Sequence, residues 1–418
     1  MLLNDWLARL EQAHPTTIEL GLERVAKVRD AMGLHPAFPV IIVGGTNGKG
    51  STCAYLEAIL RAQGYKTGLY TSPHLLRYNE RVRIDGLDAS DADIAAGLEA
   101  VEAARGDTSL SYFEHGTLGA VWQFVNAGVD VAILEVGLGG RLDAVNIFEP
   151  VMSVVTTIDL DHQDWLGDTR EKIGFEKAGI FRSGKPAVCG DLNPPQSLLE
   201  HASRLGVDLH LIGREFSSVV TSDGWCFRTS ELELEQLPLP ALAGAHQIRN
   251  AATVLAALMA VGERLPVSLA AIHAGLVSAR QAGRFQRIAS DPEIVLDVAH
   301  NPESARALAE NLLAYPVRGR NFAVFAMLAD KDAANAIAPL QDVFDVWLVA
   351  GLTGARGQSG EHLAELVRAS VRVPVTAYTG PMDAWKAARI QAVEGDRITV
   401  FGSFHTVAEI LPDATTSC

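Results

Sequence analysis

The first half of the chain alternates between short apolar runs and longer segments with helical spacing. The strand-like runs occupy residues 39–45, 66–72, 129–137, 150–158 and 185–190, and all but the second contain Val together with Ile, Ala or further Val. Alternation of this kind is typical of a mostly parallel β-sheet with helices on its faces. The pattern therefore predicts an α/β fold for this part of the chain.

The pattern changes between about Leu209 and Leu239. Residues 216–234 alternate between apolar and polar side chains on either side of Asp223-Gly224, which is a typical hairpin signal. We therefore predict an antiparallel segment here. Helical spacing then returns in two segments, residues 246–262 and 268–279.

A second α/β series begins near Ile294. Its apolar runs occupy residues 293–302, 321–330, 346–352, 374–380 and 397–405. Residues 280–293, between the two series, are polar and interrupted by Gly and Pro, as expected of a domain connection. Because 418 residues are too many for one ordinary hydrophobic core, we predict two domains, residues 1–287 and 288–418.

The charge of the chain limits the classes of partner. A net charge of −15 argues against nucleic acid, because no excess of Lys and Arg is available to neutralise phosphates. An anionic small molecule can still bind where basic residues gather locally, and Arg77, Arg81 and Arg83 form one such group. The alternative interpretation of these arginines is a solvated strand face.

The cysteines and the apolar runs indicate the compartment. Cys53, Cys189, Cys226 and Cys418 are scattered, without a CxxC pair or a metal-binding spacing, which is typical of a reduced cytoplasmic protein. The N-terminal segment lacks the basic and apolar regions of a signal peptide, and no apolar run is long enough to cross a bilayer. We therefore expect a cytoplasmic protein without a membrane partner.

Residues 43–64 contain a Gly-rich turn between an apolar run and a segment of helical spacing. Two residues separate Gly45 from Gly48-Lys49, whereas the usual phosphate-binding loop has four, and Ser51 lies one position later than that pattern requires. A turn from strand to helix nevertheless directs backbone N–H groups and the positive end of the helix dipole at one point, which suits a polyphosphate. The spacing leaves two interpretations, a phosphate-binding loop or a plain turn.

Acidic residues follow several predicted strands, at the edge where parallel sheets bind ligands. Glu135 lies among apolar neighbours, and a buried carboxylate needs a partner, which is either a metal ion or the side chain of an Arg or Lys. A second group offers hard oxygen ligands and one imidazole, although acidic loops are also common caps. Its members are Asp159, Asp161, His162 and Asp164.

Other strand ends carry glycine or polar side chains. The Gly-rich segment 137–146 permits close approach of a ligand to the backbone. In the second series, Asp297, His300 and Asn301 follow one strand, and Ser403 follows another. A helix N-cap explains Asn301 or Ser403 individually, but it does not explain polar clusters at the ends of two strands of one domain.

Taken together, these stretches resemble the Mur-ligase superfamily and, within it, the family of bifunctional dihydrofolate synthase/folylpolyglutamate synthases. Segment 44–52 (GGTNGKGST) alone indicates only the superfamily. Segments 71–75 (TSPHL), 137–143 (GLGGRLD) and 402–406 (GSFHT) narrow the resemblance to folate ligases. The matching segments run in order over nearly the whole chain: 17–25, 44–52, 70–84, 111–120, 134–146, 159–167, 176–181, 246–253, 283–286, 297–302 and 402–406.

The resemblance implies a P-loop ATPase domain with a mostly parallel sheet, followed by a smaller, Rossmann-like C-terminal α/β domain that serves as the glutamate ligase domain. It also implies that the shortened Gly-rich loop binds the phosphates of ATP, with Lys49 facing the β- and γ-phosphates. The positions that would contact ATP are Thr46, Asn47, Gly48, Lys49, Gly50, Ser51, Asn250, Arg284 and Asp297.

The metal and substrate positions follow from the same resemblance. Magnesium would be ligated by Ser72, Glu135 and His162, and Lys177, which is carbamylated in this family, would help to hold a second magnesium ion. The region for the pterin-containing substrate would comprise Glu19, Leu20, Gly21, Leu22, Ser111, Tyr112, Phe113, Glu114, Leu142, Asp143 and Ala144. His300 and Ser403 match positions that hold the incoming glutamate. The residues expected to act in catalysis are Lys49, Lys177 and His300.

The implied reaction is ATP-dependent formation of an acyl phosphate, which the amino group of L-glutamate attacks to form an amide. The implied acceptors are dihydropteroate and reduced folates, and we expect a monomer. One alternative is another Mur-type ligase that acts on a cell-wall precursor, although segment 71–75 argues against it. Two further alternatives are a P-loop phosphotransferase, which would show no glutamate-dependent phosphate release, and a non-catalytic nucleotide-binding protein, which would release no ADP.

Overall fold

The computed structural model describes residues 1–14, 19–288 and 291–416. Residues 17 and 18 of the matching segment 17–25, residues 289 and 290 of the predicted connection, and Cys418 lie outside this part. The chain forms two compact units, one of Met1–Ala241 with Gln247–Arg280 and one of Leu242–His246 with Gln281–Cys418. Each unit combines helices with its own mostly parallel sheet, which confirms the predicted α/β class. The domain division at 287/288 stays a prediction.

The first unit is built on an eight-stranded sheet with the order β4-β3-β2-β5-β1-β6-β7-β8. The strands are β1 (Val40–Gly44), β2 (Thr67–Tyr70), β3 (Val82–Ile84), β4 (Leu87–Asp88), β5 (Val131–Glu135), β6 (Met152–Val155), β7 (Pro186–Cys189) and β8 (Asp208–Leu211). The pairs β2–β3 and β3–β4 are antiparallel, and the other neighbours are parallel. All five predicted strands form, as β1, β2, β5, β6 and β7. The strands β3, β4 and β8 were not identified, because β3 and β4 are only 3 and 2 residues long and β8 lacks an apolar run.

A three-stranded antiparallel sheet follows, with the order β11-β10-β9. Its strands are β9 (Phe216–Thr221), β10 (Gly224–Thr229) and β11 (Glu233–Leu237). Thr221 pairs with Gly224, so that Ser222 and Asp223 form a two-residue turn between β9 and β10. This hairpin confirms the antiparallel segment predicted from the alternating pattern.

The helices that accompany these sheets are α1 (Leu3–Ala13), α2 (Glu23–Ala31), α3 (Lys49–Gln63), α4 (Asp91–Arg105), α5 (Tyr112–Ala127), α6 (Gln163–Leu166), α7 (Arg170–Ala178), α8 (Gln196–Leu205), α9 (Ala245–Ala260) and α10 (Leu269–Ser278). Two short 3₁₀ helices span Tyr78–Arg81 and Ala144–Ile147. Helix α3 contacts β1, β2 and β5 as well as α10. It ends at Gly64, whose φ of 103° allows the chain to leave the helix as the sequence predicts.

The carboxyl ends of β1, β5 and β6 lie side by side. Val43 pairs with Glu135, and Gly44 pairs with Val155. Every residue of the three strands is buried, which is typical of parallel strands covered on both faces. The loops that follow these strands therefore meet at one edge of the sheet, where parallel α/β folds bind ligands.

The second unit contains a six-stranded sheet with the order β12-β13-β17-β14-β15-β16, in which only β12 is antiparallel to its neighbour. The strands are β12 (Gln286–Ile288), β13 (Glu293–Leu296), β14 (Asn321–Phe325), β15 (Val346–Ala350), β16 (Val375–Tyr378) and β17 (Arg397–Phe401). The helices are α11 (Pro302–Ala314), α12 (Ala333–Ile337), α13 (Gly360–Ser370), α14 (Pro381–Gln391) and α15 (Phe404–Thr416), with a 3₁₀ turn at Ala338–Leu340. All five runs of the second series form strands.

The core of the second unit is aromatic at its centre. The rings of Phe344 and Phe401 are stacked, with centroids 5.4 Å apart, and Trp347 meets both rings edge-on. Such contacts stabilise a core beyond the burial of apolar area. In the described part of the chain, no helix is both long enough and apolar enough to span a membrane.

Candidate active site

The turn between β1 and α3 is fixed against the segment that follows β6. The N–H of Thr46 donates to the carbonyl of Thr157 (2.7 Å), and the hydroxyl of Thr156 donates to the carbonyl of Asn47 (2.6 Å). At Gly45, which has a φ of 142°, a Cβ would lie 1.8 Å from the Thr156 hydroxyl oxygen. The turn is therefore a rigid connection that requires glycine at this position.

Backbone donors and one ammonium group converge on this turn. Helix α3 begins at Lys49 without a side-chain cap, because Gly48 precedes it. The first N–H groups of a helix have no acceptor within the helix, and they lie at the positive end of its dipole. The Lys49 Nζ bends back over the turn and donates to the carbonyl oxygens of Gly45 (3.1 Å) and Thr46 (3.2 Å). This arrangement suits a polyphosphate.

Helix α9 presents polar side chains to the same turn. Gly48, with a φ of 84°, lies so close to Asn250 that a Cβ would be 2.8 Å from its Oδ1. The Nε2 of Gln247 donates to the Ser51 hydroxyl (3.2 Å), and the Nδ2 of Asn250 donates to the Oε1 of Gln247 (3.1 Å). Asn250 was predicted from the resemblance, but Gln247 was missed. The spacing of the two amides at i and i+3, on one helix face, is the signal that points to it.

Glu135 lies at the end of β5 with only 4% of its surface exposed. Its Oε2 accepts the N–H of Ser72 (3.1 Å). Both charged groups, Glu135 and Lys49, affect the pKa of the buried Cys53 thiol. Burial is the main cause of its raised pKa, the Glu135 carboxylate raises the pKa further, and Lys49 lowers it. Because Val43 of β1 pairs with Glu135 of β5, the structure brings Ser72 and Glu135 beside the turn that leads from β1 to Lys49.

The Gly-rich segment after β5 encloses Asp143. The carboxylate of Asp143 accepts the N–H groups of Leu138 (2.8 Å) and Val145 (3.0 Å). Burial raises the pKa of Asp143 to about 6, although these hydrogen bonds oppose the increase. The ring of Phe113 lies over Gly137, where a Cβ would be 2.7 Å from it. Two of the predicted substrate segments therefore meet beside the end of β5.

Lys177 is buried near the C-terminal end of α7, with 3% of its surface exposed. Gly140 packs against it, because a Cβ there would lie 3.2 Å from the Lys177 Cα. The next residue, Arg141, pairs with the Glu176 carboxylate at 2.8 Å. The Gly-rich segment thus contacts α7 directly at the lysine that the resemblance singles out.

His162 precedes the short helix α6, and its φ of 50° is unusual for a residue with a side chain. Its Nε2 lies 3.9 Å from a carboxylate oxygen of Asp161. Asp159 contacts the turn between β1 and α3, since its N–H donates to the Thr46 hydroxyl (3.0 Å). Nowhere in the described ranges do three His, Cys, Asp or Glu side chains gather into a metal-binding group. A metal ion here would need water and phosphate as further ligands, as is usual for Mg²⁺.

Arg24 joins two predicted substrate segments. Its guanidinium pairs with Glu19 and, at 3.0 Å, with Glu114. Leu20, Gly21 and Leu22 connect Glu19 to α2, and all three are partly buried. Arg24 was not predicted, because its partner Glu114 lies 90 residues away in the sequence. The local signal is its position two residues after the predicted substrate segment 19–22.

Ser111 and Glu114 close the N-terminus of α5. The Ser111 hydroxyl accepts the N–H of Glu114 (3.3 Å), and the Glu114 carboxylate accepts the N–H of Ser111 (2.7 Å). This reciprocal cap satisfies two backbone donors in a buried position. The predicted substrate residues Ser111 and Glu114 therefore have a structural function of their own.

Tyr112 and Phe113 form an aromatic surface at the start of α5. The ring of Tyr112 lies 5.8 Å from that of Tyr78, and the ring of Phe113 lies 5.8 Å from that of Tyr70. Burial raises the pKa of Tyr112 and of Tyr70, so that both hydroxyls stay protonated at neutral pH. Leu142 and Ala144 flank Asp143, the former partly and the latter fully buried. Flat aromatic groups of this kind can pack against a planar ring.

In the second unit, a polar cluster surrounds Asp297. Its carboxylate accepts the N–H groups of Phe285 (2.8 Å) and Ala299 (2.7 Å). Burial raises the pKa of Asp297, and the nearby Arg284 guanidinium is the main opposing effect. Two predicted ATP-contact residues, Arg284 and Asp297, thus lie together.

The ring of Phe404 connects this cluster to the end of β17. The Arg284 guanidinium lies 5.5 Å from the centre of the Phe404 ring, and the His300 ring lies 6.2 Å from it. The Ser403 hydroxyl accepts the N–H of Thr406 (3.0 Å) and is hydrogen-bonded to the Thr406 hydroxyl (2.7 Å). Because β13 and β17 are parallel neighbours, the predicted residues that follow them gather at one edge of the second sheet.

Comparison with known proteins agrees with this arrangement. Residues 43–258 match the Mur ligase middle domain, and residues 283–404 match the Mur ligase glutamate ligase domain. The chain therefore belongs to the Mur ligase family.

The relatives of high identity narrow this class. The chain is 48% identical to the dihydrofolate synthase/folylpolyglutamate synthase of Escherichia coli K12 over 410 residues, which is 98% of this chain and 94% of the relative. It is 42% identical to the enzyme of the same name from Haemophilus influenzae over 429 residues, or 97% of this chain and 96% of the relative. Within the Mur ligases, the chain belongs to the dihydrofolate synthase/folylpolyglutamate synthases, which favours the folate prediction over the cell-wall alternative.

Solved structures lead to the same group. The E. coli FolC structure with DHPP and ADP is similar over 100% of this chain and 98% of that chain, with a TM-score of 0.95 and 47% identity. The bifunctional folylpolyglutamate synthase/dihydrofolate synthase of Yersinia pestis with AMPPNP and Mn has a TM-score of 0.92 at 45% identity, and it covers 99% of this chain and 98% of that chain. A structure of an enzyme with the same name holds Mn, AMPPNP and L-glutamate, with a TM-score of 0.92 at 45% identity over 99% of this chain and 98% of that chain.

Proposed function

We propose that this protein is an ATP-dependent carbon–nitrogen ligase that joins L-glutamate to dihydropteroate, giving dihydrofolate, and to the γ-carboxylate of reduced folates. The observation that carries the proposal is the convergence of Lys49, the first turn of α3 and the buried Glu135 carboxylate at one edge of the sheet. The proposal is supported by relatives of this name that align with nearly the whole chain.

ATP would bind with its phosphates on the turn that precedes α3. Its oxygens would accept the N–H groups of residues 46–51, and Lys49 would turn from its backbone acceptors to the β- and γ-phosphates. Asn250 packs against Gly48 and is proposed to contact the nucleotide from α9. Arg284 and Asp297, in the second unit, are further proposed ATP contacts. Relatives solved with ADP and AMPPNP support a nucleotide as the ligand.

A divalent cation would be held by Glu135, with Ser72 and His162 as further ligands. The buried carboxylate fits such an ion, because Mg²⁺ commonly takes one or two carboxylates and completes its coordination with water and phosphate. When bound, the ion offsets negative charge on the transferring phosphoryl group. The relatives solved with Mn support a divalent cation. We propose magnesium as the physiological ion, because a carboxylate and a hydroxyl are hard oxygen ligands. Carbamylation of the buried Lys177 would add a carboxylate for a second ion.

The chemistry proceeds in two steps. The acceptor carboxylate attacks the γ-phosphorus of ATP and ADP leaves, which gives an acyl phosphate. The amino group of L-glutamate then attacks the acyl carbon and loses a proton, and the bond to phosphate breaks to leave an amide. Lys49 and the N–H groups of α3 offset charge on the phosphate oxygens in both steps. His300 and Ser403 are proposed to hold the incoming glutamate.

The pterin-containing acceptor would lie along the segments 19–22, 111–114 and 142–144. Arg24 holds the first two segments together, and Phe113 and Asp143 meet beside the end of β5. The aromatic rings of Tyr112 and Phe113 offer surfaces on which a pterin or benzoate ring can pack. A relative solved with DHPP supports this class of ligand.

We further propose that the enzyme acts in the cytoplasm as a monomer. The buried thiols of Cys53, Cys189 and Cys226 are free, which suits a reducing compartment. Analytical ultracentrifugation of the purified protein in the presence of ATP tests the oligomeric state.

Release of inorganic phosphate and ADP, measured with each acceptor and with or without L-glutamate, tests the proposed function. We expect phosphate release that requires L-glutamate together with either dihydropteroate or tetrahydrofolate. A phosphotransferase would form a phosphoester without needing glutamate, and a non-catalytic protein would release no ADP. Activity only with a nucleotide-sugar acceptor would instead support a cell-wall ligase.

A further inference from the structure

Arg81 lies against two tyrosines of the candidate acceptor site. It is the last residue of the 3₁₀ helix Tyr78–Arg81, and its guanidinium carbon lies 5.3 Å from the centre of the Tyr78 ring and 5.6 Å from that of Tyr112. Its Nε donates to the Nδ1 of His74 (2.8 Å). These two cation–π contacts hold the guanidinium against the rings, and its hydrogen bond to His74 uses Nε, so that within the described ranges the two Nη groups keep their donors for a ligand.

The positive charge of Arg81 differs from that of the neighbouring arginines. Arg77 pairs with Asp91 (2.7 Å), and Arg83 pairs with the buried Glu57 (3.1 Å). In the described part of the chain, by contrast, no carboxylate oxygen lies within 4.0 Å of Arg81, and its one side-chain hydrogen bond is to the His74 ring. A partly buried guanidinium without a carboxylate partner is a suitable site for an anionic group, and its planar edge matches a carboxylate.

The position of Arg81 is fixed close to the proposed reaction point. The carbonyl of Arg81 accepts the N–H of Thr71 (2.9 Å), and the N–H of the next residue, Ser72, donates to Glu135. The intervening segment is held by Glu80, whose carboxylate accepts the N–H groups of Leu75 (2.7 Å), Leu76 (2.7 Å) and Arg77 (2.8 Å). The backbone of Arg81 is therefore hydrogen-bonded one residue away from the contact between Ser72 and Glu135, beside which the reacting end of the acceptor is proposed to lie.

We propose that Arg81 binds the α-carboxylate of acceptors that already carry glutamate, and that it thereby determines how efficiently the enzyme uses reduced folates relative to dihydropteroate. This inference rests on the proposed function. A reduced folate reacts through its γ-carboxylate and presents an α-carboxylate close to that group, whereas dihydropteroate has a single carboxylate, which is the one that reacts. Only the folate acceptor therefore has an anionic group left for Arg81. If Arg81 instead packed on the pterin, both acceptors would depend on it equally.

The comparison of Arg81→Gln with Arg77→Gln tests this proposal, because the two arginines lie in one segment and only Arg81 faces the tyrosines. We expect Arg81→Gln to raise the KM for tetrahydrofolate by about 10- to 100-fold, as for the loss of a hydrogen-bonded charge pair. The KM for dihydropteroate and the kcat with dihydropteroate should stay within about threefold of the wild type. Arg77→Gln should change neither KM, since its ion pair with Asp91 is exposed.

A second experiment uses an acceptor that lacks the α-carboxylate. Tetrahydropteroyl-γ-aminobutyrate carries the reacting carboxylate at the same reach as tetrahydrofolate but has no α-carboxylate. For the wild type, the KM for this analogue should exceed the KM for tetrahydrofolate by about the factor by which Arg81→Gln raises the KM for tetrahydrofolate. Arg81→Gln should raise the KM for the analogue little further. Arg81→Lys, which keeps the charge without the planar fork, should fall between the wild type and Arg81→Gln, and it provides the test if the Gln variant does not fold.

The outcomes separate the two claims. Equal increases in KM for both acceptors would overturn the role of Arg81 while leaving the ligase activity intact. The same conclusion would follow if Arg81→Gln still had a much higher KM for the γ-aminobutyrate analogue than for tetrahydrofolate. A wild type that released no phosphate with either acceptor would overturn the proposed function, and the role of Arg81 with it.

Discussion

Lys49 shows how one side chain can be positioned before its ligand arrives. Its Nζ donates to the carbonyl oxygens of Gly45 and Thr46, so that the ammonium already lies over the turn that would receive phosphate. The turn itself depends on Gly45 and Gly48, where larger residues would collide with Thr156 and Asn250. The shape of the turn thus depends on glycine at two positions, and its positive charge comes from a lysine that is only partly buried.

Lys49→Ala should reduce kcat by about 100- to 1,000-fold, because it removes a charged donor that would offset charge on the transferring phosphoryl group. The thermal midpoint should change little, since the side chain is only partly buried and its hydrogen bonds within the described ranges are to backbone carbonyls. Steady-state kinetics at saturating ATP and thermal melting measure the two effects. Lys172→Ala, which removes an exposed lysine paired with Asp168, is the matched control and should keep full activity. Near wild-type turnover by Lys49→Ala would show that the turn is not a phosphate site.

Glu135→Gln should raise the magnesium concentration required for half-maximal activity by about 10- to 100-fold, because it removes the negative charge that attracts a hard cation while keeping the shape of the side chain. A magnesium titration at saturating ATP measures this shift. Glu149→Gln, in which the lost carboxylate is exposed and pairs with Arg182, serves as the control and should leave the titration unchanged. An unaltered titration for Glu135→Gln would mean that Glu135 is only a satisfied core carboxylate.

Secondary-structure elements show which parts of the site can be predicted from the sequence. The residues directly after β1, β5 and β13 were predicted, because an apolar run followed by glycine or acidic residues marks the end of a parallel strand. Contacts between distant segments were missed. Gln247 and Ser51 are 196 residues apart, and Arg24 and Glu114 are 90 residues apart, so that no local pattern connects them. The reciprocal cap of α5 was also missed, although it joins residues only three apart and the Ser-x-x-Glu pattern of Ser111 and Glu114 is its local signal.

Ser111→Ala should lower the free energy of unfolding by about 0.5–2 kcal/mol, because it removes the hydroxyl that caps α5. If the start of α5 also contributes to the acceptor site, the KM for dihydropteroate should rise more than that for tetrahydrofolate. Urea denaturation and steady-state kinetics with both acceptors measure these effects.

Ser90→Ala is the matched control for this variant. Ser90 caps α4 in the same way, by accepting the N–H of Asp93 (3.2 Å), but it lies outside the proposed acceptor segments. It should lower stability by a similar amount and leave both KM values unchanged. Parallel KM changes in the two variants would attribute the effect of Ser111 to stability alone.

At the scale of the whole molecule, two α/β units each gather polar residues at the carboxyl edge of a mostly parallel sheet. The central strands of both sheets could be predicted, because they are continuous apolar runs rich in β-branched residues. The short strands β3, β4 and β12 and the edge strand β8 could not, since none of them contains a continuous apolar run. The Mur ligase domains cover parts of both units, and the similarity to dihydrofolate synthase/folylpolyglutamate synthases extends over 98% of the chain.

We propose that one ATP-dependent site serves both acceptors. Each acceptor must place its reacting carboxylate at the same point, although the γ-carboxylate of a reduced folate lies several bonds further from the pterin than the benzoate carboxylate of dihydropteroate. The pterin groups must therefore occupy different positions while the reacting groups coincide. Two acceptors that compete for one reaction point should exclude each other completely.

The most direct test is mutual inhibition measured on purified protein, with both glutamylated products quantified by mass spectrometry. We expect both products to form, and we expect each acceptor to raise the apparent KM of the other without changing its kcat. Formation of only one product would contradict bifunctionality. If each product formed at a rate that did not depend on the concentration of the other acceptor, the two acceptors would not share a single site.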